Sequence, residues 1–142
     1  MSTRRRSWPG RCRSCRPTAS RSAPSSEGSP MRFLFLVFDD PAVAATITDD
    51  DRRTYAGQFR AYTDRLRTAG VLVDAAGLDD PDTATTVRPA DGVITDGPYA
   101  EATEALGAFF HVDCADLDVA LSYAHDVPVA TGVTVEVRPT FT

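Results

Sequence analysis

The sequence predicts an α+β domain in which helices cover one face of an antiparallel sheet. The chain has 142 residues, which suits one domain. After residue 31, strand-like and helix-like apolar periods follow each other in the order β-α-β, hairpin, β-α-β. Asp-Asp-Pro at residues 39–41 follows the first strand, where a doubly wound nucleotide-binding fold would have a glycine-rich loop. These observations favour a ferredoxin-like split βαβ domain with an extra hairpin.

Residues 1–30 precede this domain, and we expect them to be disordered. They are rich in Arg, Ser, Pro and Gly, with too few apolar side chains to offset the entropy of ordering. Arg-Arg-Arg at residues 4–6 is not followed by the apolar stretch of a secretion signal, although a transit peptide or a nucleic-acid-binding tail remains an alternative. Cys12 and Cys15 have no second pair at zinc-ligand spacing. We expect Met31 to be the natural start.

The first strand and the first helix have the clearest patterns. Residues 33–38 are apolar at every position, which predicts a central strand that is covered on both faces. Asp49 or Asp50 is the predicted cap of the next helix, and Ala-Gly at residues 69–70 ends it. One face of this helix carries Tyr55, Phe59, Tyr62 and Leu66.

A second strand and a hairpin follow. Residues 71–76 are predicted as a strand, and residues 83–88 and 93–95 as the two arms of a hairpin. Gly92, in the Pro-Ala-Asp-Gly turn between the arms, is expected to have a positive φ angle.

The last βαβ segment begins with an apolar strand at residues 106–112. Asp116 is the predicted cap of the second helix, and residues 133–137 form the final strand. The face of this helix that packs on the sheet is predicted to contain Leu117, Ala120, Leu121 and Ala124.

Both faces of the first strand are apolar, yet the predicted helices cover only one. Phe33, Phe35 and Val37 alternate with Leu34 and Leu36. The helix-free face therefore needs another cover, and a homodimer that joins two such faces is the simplest one.

Charge limits the partners of the domain. Residues 31–142 contain eight Arg and 19 acidic residues, a net charge of −11. Such a surface repels phosphate backbones, which argues against nucleic acid.

No apolar run has the length of about 18 residues that a membrane span needs, so no membrane partner is expected. Cys114 is the single cysteine after residue 31, which favours a reducing compartment, the cytoplasm.

The Asp-Gly-Pro-Tyr turn at residues 96–99 holds the first candidate for chemistry. Gly97 and Pro98 specify a sharp bend, so the Asp96 carboxylate is held in place and would act as a general base if burial raised its pKa. An Asx-turn role for Asp96 is the alternative. Tyr99 is either a pocket residue or a packing ring.

The remaining candidates are scattered. His111 is a candidate for the base of a reaction, with a core histidine as the alternative. His125 stands in the last turn of a helix, where the helix dipole favours its positive form, and this explains its position. Arg88 and Arg138 end strands and would hold a carboxylate ligand, or are simply solvated. Two scattered histidines predict no metal, and no cofactor is expected. The residues that would line a pocket under the first helix, unless they are core, are Tyr55, Gln58 and Tyr62.

The turn and its flanks resemble the DGPF family of YCII-related domains. Asp96-Gly97-Pro98 is followed by Glu101 and Glu104, and then by Gly-Ala-Phe-Phe at residues 107–110. Tyr99 replaces the Phe of that family. The resemblance implies a homodimeric α/β barrel in which two sheets pack face to face. The better characterised YCII branch uses a His of the first helix with an Asp, but this chain has no His at residues 49–70.

Two functions follow from the resemblance. One is a small-molecule-binding protein, a lyase or an isomerase, whose ligand is a small acid or a lactone. The other is a non-catalytic regulatory partner of an extracytoplasmic-function sigma factor, because DGPF proteins are often encoded beside such factors.

Overall fold

The computed structural model describes residues 31–99, 103–128 and 132–141. The predictions for residues 1–30, and the acidic position Glu101, lie outside these ranges. In chain order the elements are β1 (Met31–Asp39), α1 (Pro41–Ala44), α2 (Asp49–Thr68), β2 (Leu72–Gly77), β3 (Thr85–Arg88), β4 (Val93–Asp96), β5 (Ala105–Cys114), α3 (Leu117–His125) and β6 (Thr134–Pro139).

Four strands form an antiparallel sheet in the order β2-β5-β1-β6, and β3 and β4 form a separate two-stranded sheet. The four-stranded order is that of a ferredoxin-like fold, which confirms the predicted α+β class. The central position predicted for β1 is also confirmed, since β5 and β6 flank it.

The core lies between the sheet and the helices α2 and α3. Strand β1 contributes alternate residues to it, and β5 contributes the residues that lie directly opposite. Both helices pack on this same face, because their buried side chains belong to one cluster with those of the strands. The most buried members are Phe33, Phe35, Val37, Phe110, Val112, Leu66 and Ala120.

The start of α2 differs from the prediction. Asp49 and Asp50 are the first residues of the helix, and Thr48 is its N-cap. The Thr48 side chain accepts a bond from the Asp51 N–H at 3.2 Å, and the Asp51 carboxylate accepts from the Thr48 N–H at 3.3 Å. This reciprocal capping box satisfies two helix-end donors, so it fixes the boundary one residue earlier.

Two further details of the helices differ from the sequence analysis. The short helix α1 was not predicted; Asp40 caps it and Pro41 occupies its first turn. In α3 the Asp116 cap is confirmed, but Leu117 and Leu121 are exposed at 47% and 46%. The small side chains of Ala120 and Ala124 make the contact with the sheet instead.

The β3–β4 hairpin is closed by glycines with positive φ. Gly92 has a φ of 68° and Gly97 a φ of 93°, values that residues with a Cβ atom rarely adopt. The Gly97 N–H donates to the Ala84 carbonyl at 2.7 Å, and the Thr86 hydroxyl donates to the Gly97 carbonyl at 2.8 Å. The backbone of Gly97 therefore ties the turn to the start of the hairpin.

No described helix packs on the other face of the four-stranded sheet. The residues of β1 and β5 that alternate with the core residues lie on this helix-free face, and they are only partly buried. Its apolar members are Leu34, Leu36, Phe38, Leu106 and Phe109.

Candidate functional site

A cavity of about 690 Å³ lies between α2 and the edge of the sheet formed by β2 and β5. Its size is within the range of small-molecule sites. Its apolar wall contains Ile47, Phe59, Leu78 and Phe110. Its polar side chains are Asp39, Arg52, Tyr55, Arg60, Thr63, Asp64 and Arg67.

A β-bulge brings Asp39 to this cavity. Val37 pairs with Ala108 but Phe38 pairs with Leu106, so Gly107 has no partner on β1. A Cβ on Gly107 would overlap Asp39 Oδ2 and would lie 3.2 Å from Asp39 Cγ. The carboxylate therefore occupies the space that a side chain at residue 107 would need.

The Asp39 carboxyl is partly removed from water. Burial raises the pKa of Asp39 above its ordinary value, because desolvation disfavours the charged form. Within the described part of the chain, its carboxylate accepts no hydrogen bond and forms no ion pair. A carboxylate of this kind is a stronger base than a solvated one and has free lone pairs that face the cavity.

Aromatic rings form the wall under α2. The Phe59 and Phe110 rings are stacked, with centroids 5.8 Å apart and an interplanar angle of 17°. Tyr55 packs on Phe59 at 5.4 Å, and the Tyr55 hydroxyl donates to the Pro128 carbonyl at 3.1 Å. The rings are thus fixed by the core and by the chain after α3, so the wall is largely preformed.

Of the residues predicted under α2, Tyr55 does line the cavity. Tyr62 is 4% exposed, packs edge-on against Phe110 and donates its hydroxyl to the Tyr123 carbonyl at 2.7 Å. Burial raises the pKa of Tyr62 and keeps its hydroxyl protonated, so Tyr62 is a core residue that joins α2 to α3. Gln58 is exposed and does not line the cavity.

The candidates near the hairpin lie away from the cavity. Asp96 is an exposed residue at the end of β4, and Tyr99 is 84% exposed. The Asp96 carboxylate accepts no hydrogen bond from the described residues. Arg88 forms an ion pair with Asp91 at 3.6 Å.

His111 lies on the helix-free face, between Leu34 of β1 and Asp74 of β2 in the strand register. Its Nε2 atom is buried and has no hydrogen-bond partner among the described residues. His111 and Asp39 are therefore on opposite faces of the sheet. Arg138 pairs with Glu136 on β6, and His125 is an exposed residue at the end of α3.

In the sequence pattern, Asp39 marks the boundary of the first strand. The signal that identifies it is its position two residues after Val37, on the alternating set that faces the helices. Arg52 and Arg60 were also missed. Their spacing relative to Tyr55 and Phe59 places them beside the face that was predicted to pack on the sheet.

The described ranges contain no group of three or more His, Cys, Asp or Glu side chains arranged to hold a metal ion. Among the helices in those ranges, none has the length and apolar character that crossing a membrane requires.

Comparison with known proteins gives one family and one relative. The family model described as YCII-related domain matches residues 31–141. The chain is also similar to an uncharacterized protein of Rhizobium meliloti (strain 1021), with 33% identity over 113 residues that cover 77% of this chain and 91% of the relative. The residues that the family model matches include Asp39 and Gly107, which line the cavity.

Proposed function

The chain belongs to the YCII-related domain family, and from this premise we propose that it binds a small organic molecule in the cavity under α2. We further propose that it is a lyase or an isomerase in which Asp39 moves a proton. The observation that carries this proposal is the half-buried Asp39 carboxylate, which has no partner among the described residues and faces a cavity whose surface is mostly apolar.

Asp39 supports proton abstraction from carbon. A desolvated carboxylate gains basicity, and a C–H bond beside a carbonyl group releases its proton to such a base. The electron pair of that bond then moves into the carbonyl group and gives an enolate. In an isomerase, the Asp39 carboxyl returns the proton to a different atom of the substrate. In a lyase, a leaving group instead departs from the carbon next to the one that lost the proton.

The walls of the cavity support a small and partly apolar substrate. Phe59 and Phe110 supply a flat ring surface, and Ala75 and Ala108 leave room beside it. Small-molecule sites typically have volumes of roughly 300–1,000 Å³, with few polar groups that fix the orientation of the ligand. The volume of this cavity, about 690 Å³, lies within that range.

We assign the chain to the DGPF branch of the family as part of the same proposal. The Asp-Gly-Pro turn at residues 96–98 supports the assignment, and so does the Gly-Ala-Phe-Phe strand at residues 107–110. In this chain the glycine of that strand is Gly107, which leaves room for Asp39. Gly107 thus belongs both to the Gly-Ala-Phe-Phe strand and to the lining of the cavity.

We also propose a homodimer in which the helix-free faces of two copies pack together. Five partly buried apolar side chains of β1 and β5 support this proposal. A continuous apolar surface on a central pair of strands is unfavourable in water unless another surface covers it. The cavity lies on the opposite face of the sheet, so dimerisation leaves it open.

A thermal-shift screen of the full chain tests the function. The probes are small organic acids, their lactones and their neutral amides, and each compound that raises the melting temperature is then assayed for turnover. We expect binding and a turnover that depends on Asp39. If no probe is bound and turned over, the proposed activity is wrong, and the non-catalytic reading becomes the better one.

A further inference from the structure

The ion pairs of the domain single out two arginines. Eight arginines lie in the described ranges, and six of them have a carboxylate within 4.0 Å. The remaining two, Arg52 and Arg60, form no ion pair with any described residue, and both line the cavity.

Arg52 and Arg60 both belong to helix α2 and both line the cavity. Arg52 and Arg60 are eight residues apart, which is a little over two helical turns and about 12 Å along the axis. They therefore lie on one side of α2, the side that faces the cavity. Arg67 is on this side as well, but Asp64 pairs with it at 2.6 Å and neutralises its charge.

Within the described ranges the fold uses only one donor of these two guanidinium groups. Arg52 Nη2 reaches the Ala44 carbonyl at 3.5 Å, the limit of a hydrogen bond, and Arg60 has no side-chain hydrogen bond within the described ranges. Each guanidinium has five N–H donors in a planar fork, a geometry that matches a carboxylate. Both are accessible to a ligand that enters the cavity.

We propose that the ligand of the cavity is an organic carboxylate with an apolar body, whose head group is bound by Arg52 and Arg60. Its body lies against Phe59 and Phe110, and its reactive end approaches Asp39. A phosphate ester fits less well, because it carries up to two negative charges and the Asp39 carboxylate in the same cavity repels the second. This inference rests on the proposed function, since it names the substrate class of the same cavity.

The test is a binding series on the full chain. Titration calorimetry compares aliphatic and aromatic carboxylates with four to ten carbon atoms, their primary amides and phosphate monoesters of similar length. We expect carboxylates to bind at least about 10-fold more tightly than their amides, which corresponds to one charge-assisted interaction. We also expect this affinity to fall as the salt concentration rises. Equal affinity for acids and amides, or tighter binding of the phosphate esters, overturns the proposal.

Two variants locate the interaction. Arg60→Gln keeps the length and most of the packing of the side chain but removes its charge, and we expect it to weaken carboxylate binding by about 10-fold or more. Arg53→Gln is the matched control on the same helix, because Arg53 pairs with Asp50 at 3.6 Å and does not line the cavity. If both variants weaken binding equally, the effect is a general one of charge, and the assignment to Arg60 is wrong.

Asp39→Asn separates this inference from the proposed function. If the variant binds carboxylates but has unchanged turnover, the proposed role of Asp39 fails while the carboxylate site stands. If a neutral compound is turned over in an Asp39-dependent reaction that Arg60→Gln does not affect, the carboxylate site fails while the proposed function stands.

Discussion

Asp39 and Gly107 share one side-chain space: the Asp39 carboxylate fills the volume that a Cβ at residue 107 would occupy. The bulge in β5 creates this space because it leaves Gly107 without a partner on β1. The glycine thus fixes where a carboxylate can lie in the cavity. A substitution at residue 107 therefore acts on Asp39 without changing it chemically.

The first prediction concerns Gly107→Ala. The added Cβ displaces the tip of the Asp39 side chain, and a displacement of about 1 Å at a catalytic group is sufficient to lower turnover about 100-fold. The free energy of unfolding should change by no more than about 1 kcal/mol, because alanine is a better strand residue than glycine and the displaced group is flexible. Turnover and denaturant unfolding of the same preparation measure the two effects.

Gly57→Ala is the control for this prediction. Gly57 lies in α2, does not line the cavity and has nothing within 4 Å of an added Cβ. Turnover should remain at the wild-type level. If Gly107→Ala is also fully active, the position of Asp39 does not matter for the reaction.

The second prediction follows from the pKa of Asp39 and concerns Asp39→Asn. Because burial raises this pKa in the folded state, folding favours the protonated carboxyl. The associated stability is present below the pKa of the unfolded chain and is lost as the pH rises through the folded pKa. Asn carries no charge at any pH, so the variant avoids this loss. The melting temperature of Asp39→Asn relative to the wild type should therefore increase from acid to neutral pH.

Thermal unfolding of both proteins at a series of pH values measures this difference. Circular dichroism at each pH confirms that both are folded before heating. A difference that is constant with pH, or that decreases toward neutral pH, would show that folding does not desolvate the Asp39 carboxyl.

The sequence predicts the sheet and the main helices because their signals are local. The apolar run of β1 and the spacing of Tyr62 and Leu66 on α2 are readable in windows of a few residues, and the structure confirms both. The Asp116 cap is another short-range signal of this kind. By contrast, Thr48 was missed because three consecutive aspartates follow it, and each of them is also a good capping residue.

The cavity is not readable in the same way, because it depends on register. The alternation of β1 places Asp39 on the helix side, but which residue of β5 lies beside it depends on how β1 pairs with β5, more than 60 residues away along the chain. The Asp-Asp-Pro sequence at residues 39–41 indicates a turn, and this local signal gives no indication that Asp39 lines the cavity. The unpaired state of Arg60 also depends on where every acidic side chain of the fold lies.

The third prediction concerns the helix-free face and uses Leu36→Glu. Leu36 lies on this face of a central strand and pairs with Phe109. We expect the wild type to be a dimer at micromolar concentration, with at least about 1,200 Å² buried between the copies. A charge at the centre of this interface would be desolvated without a partner, so Leu36→Glu should be monomeric. Light scattering with size-exclusion chromatography measures the mass.

Val87→Glu is the matched control, since Val87 is 55% exposed on the separate hairpin. It should leave the dimer intact. A monomeric wild type would exclude the proposed interface, and a monomeric Val87→Glu would place the contact on the hairpin instead.

The last prediction compares two carboxylates, Asp39 and Asp96, through Asp39→Asn and Asp96→Asn. Each variant keeps the shape of the side chain and an acceptor oxygen but loses the charge and most of the basicity. Asp39 faces the cavity from a partly desolvated position, so its variant should stay folded and lose turnover by about 100-fold or more. Asp96 is exposed at the end of β4, and its variant should keep turnover within about 2-fold and stability within about 0.5 kcal/mol. Steady-state kinetics on a compound that is turned over in the thermal-shift screen, with unfolding curves for both variants, gives the comparison. Loss of turnover in Asp96→Asn alone would move the catalytic carboxylate to the Asp-Gly-Pro turn and would leave the cavity under α2 without a base.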